Sequence, residues 1–165
     1  MKLNNSAMKK EKMMKYKNDS LDQGVSLHDC IVSDFSLDQK TMTLEIEDGV
    51  WLTKDNPNNP FDSICRTSKV TVKINVGRFE ELNSPDSDCV LELRKDIPIL
   101  KYYLCKDYPL SAIKNYIGQF EITYVYRNFN TFIITGWISS RNQFRIIIHD
   151  FESIEISYDD VEEEE

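Results

Sequence analysis

Four strand-like segments crowd the last third of the chain, at 119–127, 131–139, 143–149 and 152–158. They are separated only by Asn128, Phe129 and Asn130, then Ser140, Arg141 and Asn142, then Asp150 and Phe151. A parallel crossover needs about a dozen residues, so links this short force neighbouring strands to run antiparallel. The spacing predicts a C-terminal four-strand meander. Composition agrees: 17 Ile against 2 Ala (Ala7 and Ala112) is the usage of sheets and the reverse of that of helical bundles.

The first half carries the same period of two. Met42, Leu44 and Ile46 alternate with Thr43, Glu45 and Glu47, and Asp38, Gln39 and Lys40 separate this run from an apolar one at 30–37, which together read as a hairpin with one buried face. Asp48 and Gly49 suit a type I′ turn, predicting that 50–53 returns against the preceding strand as the third member of a meander. Val70, Val72, Ile74 and Val76 alternate with polar residues in a further strand. The apolar run at 97–105 fits strand or helix equally. One short helix is expected at 108–117, with Asp107 able to accept its first amides, Pro109 in its first turn and Gly118 at its end. The fold class is therefore mainly β (α+β), an antiparallel sheet forming a sandwich or a partly open barrel with one short helix. Its core is predicted to rest on Leu44, Ile46, Val72, Ile74, Ile122, Ile134 and Ile146.

Charge divides the chain into three parts. Residues 1–24 read as a mobile basic arm, since 1–17 hold six Lys and one Glu; 25–158 read as a single β-rich domain; and 159–165, with six acids among seven residues, read as a solvated acidic tail. The net charge is −8, and without the first 17 residues the remaining 14 basic and 27 acidic side chains leave −13. Such a body repels phosphate and attracts cations, so a basic protein is the expected partner and nucleic acid is not. No run reaches the roughly 20 apolar residues of a membrane span and none resembles an export signal, which predicts no membrane association and a cytoplasmic location. Cys30, Cys65, Cys89 and Cys105 are widely spaced and are expected to be reduced.

Chemistry-bearing patterns are few. His28, Asp29 and Cys30 are the one place where imidazole, carboxylate and thiol adjoin, the set that a thiolate nucleophile would need. In an extended chain, however, Asp29 points away from His28 and Cys30, which leaves the imidazole without its orienting carboxylate and predicts no catalytic role. A zinc site combining these residues with His149 lacks paired spacing. The loop DNPNNPFD at 55–62, read as exposed, and NSPDSD at 83–88 lack the register of a calcium loop. The five glycines are isolated, so no phosphate-binding loop is formed, and no cofactor or metal is expected. Tyr124, Tyr126, Phe132, Trp137 and Phe144 could form a stacking platform, but alternation assigns Phe120, Ile122, Tyr124 and Tyr126 to one core face, with Gly136 leaving space or marking a bulge. Trp137 then lies on the opposite face with Ile133, Val125 and Ile147, a partly apolar surface that must be covered or bind something. The candidates for a functional surface are His28, Asp29, Trp137 and His149.

LHDC at 27–30, the hairpin after it and EDGVW at 47–51 resemble small β-rich bacterial proteins of uncharacterised families, some of them immunity proteins of toxin systems. The resemblance spans about a third of the chain and carries over no functional residue. It implies a cytosolic binder that blocks a toxin by protein contact. The leading expectation is thus a protein-interaction domain, an immunity-type inhibitor of a basic partner. A small-molecule or enzymatic pocket using His28 or His149 and a phage or mobile-element subunit that self-associates through its edge strands are the alternatives.

Overall fold

A computed structural model describes residues 14–77, 82, 84, 87–97 and 102–163. Among them are fourteen strands: β1 (Tyr16–Asn18), β2 (Val25–Ser26), β3 (Cys30–Leu37), β4 (Thr41–Ile46), β5 (Trp51–Leu52), β6 (Cys65–Thr67), β7 (Val70–Val76), β8 (Val90–Ile97), β9 (Tyr102–Pro109), β10 (Phe120–Asn128), β11 (Thr131–Ser139), β12 (Asn142–Ile148), β13 (Phe151–Tyr158) and β14 (Val161–Glu163). A single helix, α1 (Ile113–Tyr116), follows a 3-10 turn at Leu110–Ala112. Every pairing is antiparallel. The main sheet has the order β1-β13-β7-β4-β3-β10-β11-β12-β8-β9, and a small one the order β14-β6-β5-β2.

Alternation does what it should in the large sheet. All seven residues on which the core was predicted to rest are fully buried, and each long strand except β9 contributes buried residues to the same apolar cluster. A sheet this wide whose strands share one core must curl over itself. Its shortest internal pairing is that of β3 with β10, over only three residue pairs, Val32↔Phe120 to Cys30↔Ile122. There Phe120 packs against Phe35 and edge-on against Phe144, at centroid separations of 6.1 and 4.7 Å. The terminal strands β1 and β9 do not pair with each other, so the curl stays open.

Competition for strand edges revises several expectations. β5 does not return against β4, because β3 and β7 occupy both edges of β4. Gly49 (φ 79°) instead turns the chain toward β6, where the Val50 amide donates to Thr67 Oγ1 and the Thr67 amide to the Val50 carbonyl, both at 3.0 Å. Likewise β8 holds the outer edge of β12, so the C-terminal meander contains three strands and the fourth, β13, crosses to β7. The two-residue link His149–Asp150 makes that crossing with Asp150 in the left-handed region (φ 51°), its carbonyl accepting from the Gly77 amide at 2.6 Å. The run at 97–105 resolves as strand where described, and pairing of β9 with β8 extends to Pro109, so Asp107 lies opposite Glu92 and caps nothing. The helix expected at 108–117 shrinks accordingly to four residues, since a long-range ladder outweighs local capping.

Both ends of the described part enter the fold. Residues 14–24, assigned from sequence to a mobile arm, include β1, where Tyr16 stacks on Tyr158 at 5.5 Å and buried Asn18 accepts from the Tyr158 hydroxyl at 2.8 Å. Residues 1–13 lie outside the described part. The expected tail at 159–165 is not wholly solvated either, for Val161–Glu163 forms β14 against β6. The proline-containing loop at 55–62 is also less exposed than expected. Its asparagines replace the missing ladder: buried Asn56 donates to the Gln23 carbonyl at 2.8 Å, and Asn59 donates to the carbonyls of Thr53 and Ser63.

Candidate functional site

The outer face of β10, β11, β12 and β8 is the surface that the sequence left unexplained, and its composition is set by one irregularity. Ile122 pairs with Gly136 but Tyr124 pairs with Thr135, so Thr123 is an extra residue, a β-bulge. A side chain at Gly136 would run into the Glu121 carbonyl oxygen and crowd the Phe144 ring, so the close approach of β10 requires glycine. Beyond the bulge the alternation of β10 is inverted. Val125, opposite buried Ile134, turns inward, while Tyr124 and Tyr126 turn out and are each 54% exposed. The assignment of both tyrosines to the core, and of Val125 to the outer face, is therefore wrong by that one inserted residue. Phe132 and Phe144 are buried.

The resulting outward rows can be read across the ladder. Ile31, Glu121, Trp137, Gln143 and Arg94 form one, and Tyr124, Thr135, Arg145 and Glu92 the next. Tyr126, Ile133, Ile147 and Val90 complete the face. Part of this face floors a groove of about 570 Å³ whose lining includes Trp137, Tyr124, Tyr126, Ile133, Arg145 and Glu92. Trp137 is thus a groove residue, and among the described residues no helix or second sheet covers this face.

Beside the groove, β10 presents a free edge. Its pairing with β3 stops at Ile122, because Asp29 takes a left-handed conformation (φ 56°) and steers the preceding chain away. Among the described residues, positions 123–128 have a strand partner only in β11. A hollow of about 280 Å³, lined by Leu21, Val25, Leu27, His28, Tyr124 and Val125, separates that edge from β2. At the tip of the β10–β11 hairpin Phe129 is 98% exposed.

Asp29 also corrects the expected geometry of the HDC trio. Its positive φ swings the carboxylate back, so Asp29 Oδ2 meets His28 Nδ1 at 2.9 Å rather than pointing away. His28 in turn lies edge-on to Tyr124 at 5.5 Å. The thiol does not join them: Cys30 is fully buried, and burial pushes its pKa up to about 12, so it is protonated and inert at neutral pH. His149 is exposed at the opposite end of the β10–β11 pair, next to the Phe132↔Ile148 pairing, where its amide donates to Cys89 Sγ at 3.3 Å. The two histidines do not converge, and among the described residues no three His, Cys, Asp or Glu side chains gather as metal ligands. No described helix is long and apolar enough to cross a membrane.

Alternation could not find the two tyrosines, since it hides them in the core. Phe129 was findable, because an aromatic side chain between two asparagines in a three-residue link has no core to enter. Comparison with protein-family models, curated proteins and solved structures finds no match.

Proposed function

We propose that this protein is an interaction domain that takes an extended segment of a partner protein onto the free edge of β10. The carrying observation is the combination of a strand edge at 123–128 that is unpaired among the described residues with three outward aromatics, Tyr124, Tyr126 and Phe129. An open edge offers backbone donors and acceptors in strand register, and aromatic side chains beside it supply the buried area that fixes a guest strand. The acidic charge of the chain favours a basic partner and speeds its encounter, which fits an immunity-type inhibitor acting in a cytoplasm.

Photo-crosslinking in cells of the native host tests this. A benzophenone amino acid at position 129 is expected to capture a basic protein, whereas the same group at Thr43, on the polar outer face of β4, captures none. Phe129→Ala should weaken the isolated complex by about 30-fold, the scale of an aromatic hot spot, and Tyr126→Lys should block the edge while leaving the melting temperature unchanged. Equal capture from both positions, or capture only of a second copy of the chain, would reject a basic partner at this edge.

A further inference from the structure

We propose that the groove on the outer face of β10, β11, β12 and β8 is a separate binding site for a small planar aromatic ring bearing a phosphate or carboxylate. Its volume of about 570 Å³ falls within the roughly 300–1,000 Å³ range of small-molecule sites. Its walls are chemically selective. Trp137, Tyr124 and Tyr126 present aromatic surface, with the two tyrosine rings tilted at 35° and 6.1 Å apart, and Ile133 adds an apolar patch between strands. A flat ring is the ligand shape that buries most area against such surfaces and gains stacking beyond that area.

Arg145 supplies the partner for an anionic group. This residue stands in the row between Thr135 and Glu92, with its side chain 46% exposed toward the groove that it lines. Among the described residues its guanidinium meets one carboxylate, Glu92, at 3.7 Å, a Coulombic contact too long for a hydrogen bond. Among the described residues its planar fork of N–H donors meets no hydrogen-bond acceptor, and it matches the two oxygens of a phosphate or carboxylate bidentately. Glu92 keeps the arginine in place but cannot itself fill that fork. The ring would lie against Trp137 and Tyr124, with the anion on Arg145. The two sites share Tyr124 and Tyr126, but Trp137 and Arg145 serve the groove alone while Phe129 and the backbone of β10 serve the edge alone, so one can fail without the other.

The two indole N–H resonances of the full-length protein provide the assay, with Trp137→Phe assigning them. Trp51 is an internal control, since it lies in the second sheet beneath Arg66 at 4.4 Å, away from the groove. Adenosine monophosphate and 4-hydroxybenzoate are titrated as ring-plus-anion probes, and which of them binds distinguishes a phosphate ligand from a carboxylate one. At least one should shift the Trp137 resonance saturably while Trp51 stays still. The neutral counterparts, adenosine and 4-hydroxybenzyl alcohol, should bind at least about tenfold more weakly, and Arg145→Gln should impose the same loss with an unchanged melting temperature. The proposal is overturned if neither probe moves Trp137 by ~10 mM, if the neutral compounds bind as well as the anions, or if Arg145→Gln binds like the wild type.

Discussion

Replacing Gly136 by alanine tests the device that shapes the outer face. The added Cβ would overlap the Glu121 carbonyl oxygen and sit 2.9 Å from both the Glu121 carbonyl carbon and Phe144 Cε1. Neither neighbour can yield cheaply. The first is backbone of β10 held at the Ile122↔Gly136 pair, and the second belongs to a ring that is 2% exposed and packed edge-on against Phe120. Forcing a methyl group into a packed site costs about 1–3 kcal/mol, against which alanine recovers about 0.4–1 kcal/mol by restricting the unfolded chain. A net loss of about 1–2 kcal/mol is expected, which for a domain of this size lowers the melting temperature by about 2–8 °C. Gly118→Ala is the matched control, because a Cβ there meets nothing within 4 Å and only the entropic gain remains. Calorimetry on both variants decides. If Gly136→Ala melts at or above the wild type, the strands do not approach closely at the bulge, and the account of why Tyr124 and Tyr126 face outward is wrong.

Two further outcomes follow from the cysteines. Burial raises the Cys30 thiol from 9.0 to about 12, so the unfolded chain ionises first and stability present below pH 9 is lost as pH rises from 9 toward 12. The loss by pH 10 is about 1.4 kcal/mol, and urea titrations should find a flatter alkaline limb in Cys30→Ala; an unaltered slope would show that this thiol is not the titrating group. Cys105 is exposed whereas Cys30, Cys65 and Cys89 are buried, and none of the four is in a disulfide. Iodoacetamide should therefore modify one thiol rapidly in native protein and four in denaturant, and rapid native modification at Cys65 or Cys89 would contradict the burial of those strands.

Much of the fold is local information and is legible as such. A buried face repeats every two residues whatever lies across it, so β4, β7, β11 and β12 and their core residues follow from alternation alone. Links of two or three residues make β3 and β4, and β10, β11 and β12, antiparallel. Gly136 even marked the position of a bulge. What alternation cannot reveal is an extra residue in the middle of a run: TYVY continues the apolar pattern of β10 in either phase, and only the pairing with β11 fixes which phase applies after Thr123.

Other features were decided by tertiary structure because they depend on which edge is already occupied. β5 and β13 have sequences suited to a meander, yet they join other strands since β7 and β8 hold the places beside β4 and β12. Tyr16–Asn18 is too short and polar to announce itself, and it becomes a strand through Tyr158, more than a hundred residues away. The candidate site has the same origin. Composition alone made the chain acidic and its cysteines unpaired in spacing, and local pattern placed Trp137 on an outer face. That Trp137 shares a groove with Tyr124, Tyr126 and Arg145, and that the edge of β10 stands free beside it, follows from a bulge opposite Gly136 and a left-handed Asp29 that ends the β3–β10 ladder. Alternation is a property of one strand, whereas a groove and a free edge belong to several strands in register.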